Sequence, residues 1–171
     1  MARSHDSRVR HFHTKIAGVT HKNTDGTDRQ KFISKCQLLE TLVLDHEGDN
    51  PHDRNAVRVC RGNGQQLGYL NAELAEEIAR KSEKGYRFAA FIKDITGGKR
   101  KGHSFGVNLL ILQAEPGIGD HHVKEHLNQL IRDDPELEGA KVESGCLRKL
   151  IFPFAMIVIG VIFYFYLTGR K

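Results

Sequence analysis

A chain of 171 residues has room for one domain, and a content of 39% hydrophobic and 27% charged residues is ordinary for a soluble protein. Three cysteines, Cys36, Cys60 and Cys146, odd in number and without a C-x-x-C pair, argue against a disulfide framework or a zinc ribbon and fit a reducing compartment. Charge is segregated: residues 1–112 carry 19 Lys and Arg against 13 Asp and Glu, residues 113–149 carry 5 against 8, so a basic folded part precedes an acidic tether.

Residues 1–13 are rich in Arg, Ser and His without apolar periodicity and read as a mobile basic arm. Thr14 to Val19 reads as the first strand, and the turn formers from His21 to Asp28 as a loop. Leu38 to Leu44 has the apolar, β-branched character of a buried strand. Asn55 to Cys60 alternates as a second such strand, and the compact loop Asp45 to Arg54 lies between the two. Gly62-Asn-Gly64 is a hairpin signal leading into a strand from Gln66 to Leu70. A helix follows, with Asn71 as N-cap, Glu73, Glu76 and Glu77 at its positive end, an apolar face of Ala72, Leu74, Ala75, Ile78 and Ala79, and Gly85 as its stop. Strands over Tyr86 to Ile95 and Phe105 to Leu112 flank the turn Gly97 to Gly102. This order predicts a mainly β fold with helices, a small barrel or curled sheet closed by a helix. Beyond Pro116 the strand character ends; a short helix over Asp120 to Arg132 and a tether through Cys146 are expected, the whole tether spanning residues 114–149.

The run from Leu150 to Leu167 has no charge over eighteen residues and would extend about 27 Å as a helix, enough to cross a bilayer. Arg148 and Lys149 precede it, Arg170 and Lys171 follow it, and Tyr164 and Tyr166 stand where aromatic rings favour the interface. Pro153 falls in the first turn, where its missing N–H costs nothing. A helix apolar all round would need covering on every side if it were a core helix, and so small a chain offers little for that. A signal peptide does not fit the polar start Met1-Ala-Arg-Ser-His5. The expectation is one C-terminal transmembrane helix, a membrane partner through Leu150 to Leu167, and a single-pass membrane protein with its N-terminal domain on the cytoplasmic side.

Other motifs carry less. Gly97 to Ser104 has the spacing of a phosphate-binding loop, but His103 replaces the needed lysine and a strand follows instead of a helix, so it reads as a basic hairpin. Lys99, Arg100 and Lys101 on it could hold a nucleic-acid backbone by charge. His122 and His126, four apart with His121 beside them, permit a metal pair but lack a third ligand at a diagnostic spacing. Asp45, Glu47, Asp49 and Asp53 share a loop without the pattern of a calcium site. No nucleophile with an activating motif is visible, so no enzyme, no cofactor and no metal are expected.

Asn50-Pro-His-Asp-Arg-Asn-Ala-Val57 followed by Gly64-Gln-Gln-Leu-Gly-Tyr-Leu70 resembles the HIRAN domain, and Gly18-Val-Thr-His21 and Asp25-Gly-Thr-Asp-Arg-Gln30 fit its start. The resemblance covers residues 14–113 and implies a modified OB-like β-barrel that reads single-stranded DNA ends. By this likeness Asp53 takes the aspartate position near a 3′-terminal hydroxyl and Asn50 the asparagine before it. His52 stands in that loop where the relatives stack a tyrosine, and His21 replaces the aromatic after the first strand. Tyr69 takes the place of a backbone-contacting histidine, and Ala72 that of a basic residue. Histidine can stack on a base with less π surface. The implied site is thus Asn50, His52, Asp53, His21 and Tyr69 with Lys99, Arg100 and Lys101 as a basic rim, and the implied partner single-stranded nucleic acid. The residues alone leave another role open, since Asn50, Asp53 and Asn55 can bond their own loop as Asx turns. A barrel that reads a protein partner is the alternative.

Overall fold

The computed structural model describes residues 8–98 and 102–137. The basic triplet Lys99, Arg100 and Lys101, Cys146 and the apolar run 150–167 lie outside the described residues. Among the described residues no helix is long and apolar enough to cross a membrane.

Six strands form one sheet in the order β1-β6-β5-β2-β3-β4, antiparallel at every pairing. They are β1 (Val9–Lys15), β2 (Thr41–His46), β3 (Val57–Arg61), β4 (Gln66–Tyr69), β5 (Arg87–Gly97) and β6 (Phe105–Ala114). The sheet curls until its edges meet: Ala17, just past β1, donates to the Tyr69 carbonyl at 2.8 Å and accepts from the Tyr69 N–H at 3.0 Å. The mainly β fold is therefore as expected, a curled sheet with few helices.

Its inner face is filled by Ile16, Leu42, Val57, Val59, Leu67, Ala90, Ile92, Val107, Leu109 and Ile111. Helix α2 (Ala72–Glu83) adds Ala75 and Ile78 to this core, with the Asn71 side chain accepting the Leu74 N–H at 2.9 Å as its cap. Ala72, expected on the apolar face, is exposed. Helix α1 (Arg29–Ile33), which the sequence reading does not contain, buries Ile33 completely and is capped by Asp28. It has only five residues, too few for helical periodicity to show.

Three expectations change. Strand β1 begins at Val9 and not at Thr14, so residues 9–13 belong to the sheet and not to an arm. Its alternation is real but mixed in chemistry: Phe12 and Ile16 face the barrel interior, while Val9, His11 and His13 face a second layer. That layer is helix α3 (Asp120–Asp133), expected within a free tether. Ile118, Val123 and Leu127 pack on Val9, Ala89, Phe91, Leu110, Leu112 and Ala114, the outer sides of β1, β5 and β6. Two strands apolar on both faces require such a cover. The start of β2 is also shifted, because Leu39 turns at φ +58° with its N–H on the Ile92 carbonyl at 2.8 Å.

Candidate nucleic-acid interface

The loop between β2 and β3 is shaped by its own polar side chains. Asn50 Oδ1 accepts from the N–H of His52 at 3.0 Å and of Asp53 at 3.3 Å, and its Nδ2 donates to Glu47 Oε2 at 2.9 Å. Asp53 Oδ1 accepts the Asn55 N–H at 2.9 Å, an Asx turn, and the Asp53 carbonyl accepts from Ala56 at 2.9 Å. Asn50 thus has a structural task that engages both its amide oxygen and its amide nitrogen. Asp53, half-buried, keeps its second carboxylate oxygen without a hydrogen bond among the described residues, and His52 is exposed at the loop tip.

A second group gathers around Tyr69. After β1 the chain turns at Gly18, φ +69°, and the His21 N–H bonds back to the Gly18 carbonyl at 3.1 Å. Arg29, buried at 6% exposure on α1, reaches under this turn: Nη1 donates to the Gly18 carbonyl at 2.8 Å and Nε to Asn23 Oδ1 at 2.6 Å. Its guanidinium carbon lies 5.3 Å from the centre of the Tyr69 ring. A Cβ on Gly18 would stand 3.0 Å from Arg29 Nη1 and 3.5 Å from the His21 ring, so these side chains crowd one spot and glycine leaves them room. Asn23 also donates to the Gln66 carbonyl of β4 at 3.3 Å.

The two groups are linked through Arg58. It stands opposite Tyr69 in the β3–β4 pairing, donates a hydrogen bond to Asp45 of β2, and forms an ion pair with Glu47 Oε1 at 3.1 Å, the carboxylate that also holds Asn50. The hydrogen bond that Arg58 donates to Asp45 holds its guanidinium even more firmly in the charged form. His21 and Tyr69 are therefore brought together by Arg29, and the Asn50 to Asp53 loop is joined to them by Glu47 and Arg58.

The hairpin that carries the basic triplet is fixed at its base by Gln30. Its side-chain amide accepts the Phe105 N–H at 2.7 Å and donates to the carbonyls of Phe105 at 3.1 Å and Val19 at 2.9 Å. Three consecutive residues thus serve three parts: Asp28 caps α1, Arg29 holds the Tyr69 group, and Gln30 holds the hairpin. Neither Arg29 nor Arg58 was singled out by the sequence. The signal available was the N-cap Asp28, which marks a helix start and so places Arg29 on its first turn.

Elsewhere the histidines divide. His126 turns inward, 7% exposed, with Nε2 3.1 Å from His11 Nδ1, so it does not share a face with His122 as the spacing allowed. His121, His122 and Glu125, all exposed, bring ligand atoms within 4.8 Å of one another on the first turns of α3. Burial pushes the Cys36 thiol up to about 11 and raises that of Cys60, so neither is poised as a nucleophile.

Residues 9–109 match the family model described as the HIRAN domain. Helicase-like transcription factors of Oryctolagus cuniculus and Mus musculus are 48% and 40% identical to this chain over 40 residues, 23% of this chain and 4% of theirs. The chain therefore aligns with only a small part of the curated relatives it matches. Among solved structures, the HIRAN domain of human HLTF is similar at a TM-score of 0.47 and 20% identity, covering 71% of this chain and 87% of that one. A protein from Lactobacillus plantarum is similar at 0.48 and 17%, covering 63% and 98%.

Proposed function

This chain belongs to the HIRAN domain family, and we propose that it binds single-stranded nucleic acid by a strand end, while the run 150–167 tethers it to a membrane with the domain on the cytoplasmic side. The observation that carries the reading is the half-buried Tyr69 ring, backed by the Arg29 guanidinium at 5.3 Å and joined through Arg58 to the loop of Asp53. An aromatic face backed by a cation is a stacking surface for any base. Asp53, with one carboxylate oxygen given to its loop and the other open, can accept a hydrogen bond from a terminal hydroxyl. His21 and His52, both exposed, supply further rings, and Lys99, Arg100 and Lys101 supply attraction to phosphate.

The loop's own charge favours the hydroxyl over a phosphate as the recognised group. Residues 45–58 carry four carboxylates, Asp45, Glu47, Asp49 and Asp53, against two arginines, Arg54 and Arg58, and Arg58 is already held by two of the carboxylates. The same acidity supports a second reading, a tail-anchored adaptor whose domain takes a basic protein segment, and Ala72 in place of a basic residue agrees with it. Binding of the full-length chain to short single strands with free or phosphorylated 3′ ends separates the two. Preference for the free end supports the end reader, and no binding to either supports the adaptor.

A further inference from the structure

We propose that Arg29 is the positioning residue of this site, a buried cation that locks the Tyr69 ring and the turn bearing His21 into one surface without touching the nucleic acid. The inference deepens the single-strand reading and rests on it for the ligand, though not for the geometry.

A guanidinium is costly to bury unless its donors are met, and a charged partner is the usual remedy. Arg29 is 6% exposed, yet no carboxylate pairs with it among the described residues. Its partners are a carbonyl, an amide oxygen and the face of an aromatic ring, all neutral. For stability alone an apolar side chain of similar volume would fill this space with less desolvation. What arginine adds is direction: Nε and Nη1 leave a rigid plane at fixed angles, and here they grip two points of the 18–23 turn while the plane approaches Tyr69. The turn and the strand are otherwise joined near this point by the Asn23 bond to Gln66 and by the Ala17 bridge. Among the described residues, the Arg29 guanidinium is the side chain that joins the His21 turn to the Tyr69 ring. With no carboxylate partner among the described residues, its charge also adds positive potential around the ring, which favours a ligand that carries phosphate.

The test uses the full-length chain in mild detergent with its four tyrosines fluorinated, the Tyr69 resonance being assigned from Tyr69→Phe. In Arg29→Met with an unchanged circular dichroism spectrum, the Tyr69 fluorine signal shifts or broadens while that of Tyr86 stays. Affinity for a fluorescent ten-nucleotide single strand falls about tenfold, the scale of one lost stacked base. On a Tyr69→Ala background the same substitution costs less than about twofold, because the ring it positions is gone. Arg29→Lys keeps the charge without the planar fork; it gives an intermediate loss and the same Tyr69 shift, and it is the variant to read if Arg29→Met does not fold. An unmoved Tyr69 signal in a folded variant overturns the proposal. So does a full tenfold loss on the Tyr69→Ala background, which would mean that Arg29 reaches the strand itself. If the parent chain binds no oligonucleotide, the single-strand reading falls, and the Tyr69 signal still decides the positioning role.

Discussion

Gly68 passes so close to Ala17 that a Cβ at position 68 would stand 2.3 Å from the Ala17 carbonyl oxygen and 2.5 Å from the Ile16 side chain. This contact is where the sheet closes, and it explains the glycine of the Gly-Tyr-Leu strand. Backbone must move to admit any side chain there. Gly68→Ala is expected to lower stability by roughly 1–3 kcal/mol, as overpacking of a core does, and to misplace Tyr69 beside it. Urea denaturation of the variant against the parent measures the first effect, and oligonucleotide affinity the second.

Asp53 has two tasks that can be separated. Asp53→Ala removes both the Asx turn to Asn55 and the open carboxylate oxygen, whereas Asp53→Asn keeps an oxygen for the turn and loses the charge. If the open oxygen meets a terminal hydroxyl, Asp53→Asn stays as stable as the parent and binds a free 3′ end about ten- to a hundredfold more weakly, the value of a charge-assisted bond. Its affinity for a 3′-phosphorylated strand is little changed. Equal binding of both ends by parent and variant would remove Asp53 from the ligand.

The basic hairpin is expected to act through charge alone. Replacing Lys99, Arg100 and Lys101 by Ala is expected to weaken binding about equally for every sequence and to flatten its salt dependence, since phosphate contacts position a strand without reading it. A salt titration of affinity checks this; an unchanged slope places the triplet off the binding surface.

Acid should loosen the seam between β1 and α3. Burial first, then the charge of Lys93 and the neighbouring His11, lower the pKa of His13 below 6.5. A histidine with a lowered folded pKa contributes stability that is present above 6.5 and lost as the pH falls through its folded value. Thermal melts from pH 7.5 down to 5 should show falling stability, and His13→Gln should make the fall shallower.

Among the described residues, both apolar cores are built from side chains between Val9 and Ile131. Removing residues 150–171 is therefore expected to release the protein from membranes while its circular dichroism spectrum and cooperative melting persist. A truncated chain that still sediments with membranes would refute the tether, and one that loses cooperative melting would show that the cores depend on the missing segment.

Local chemistry was the part that the sequence made legible. Asn71 as cap, Gly85 as stop and the strand pair around Gly62 to Gly64 all stand where composition put them, because each is decided by neighbours in the chain. Most of strand β1 was missed, only Thr14 and Lys15 being expected in it, because its outward positions hold His11 and His13, which answer a helix more than a hundred residues away and look like solvent-facing residues. Leu110 and Leu112, alternating with Leu109 and Ile111, were the available sign that β6 is covered on both sides. In the site, Asn50 and Asp53 were visible as polar residues whose task was open, and the geometry assigns Asn50 to its loop. Arg29 was missed because the cap Asp28 marks only a helix start, and nothing local ties an arginine there to a ring forty positions away.

The seam formed by α3 also decides how the protein can be cut. The family match ends at residue 109, in the middle of β6. Val9 to His13 of β1 pair with Ala114 to Leu110, so a fragment trimmed to that boundary would leave most of β1 unpaired and the outer sides of Ala89 and Phe91 bare. Unpaired strand edge beside exposed apolar side chains is a recipe for sticking to other copies. A soluble fragment for binding or crystallisation work should accordingly run through Leu137, the last buried residue of the described chain.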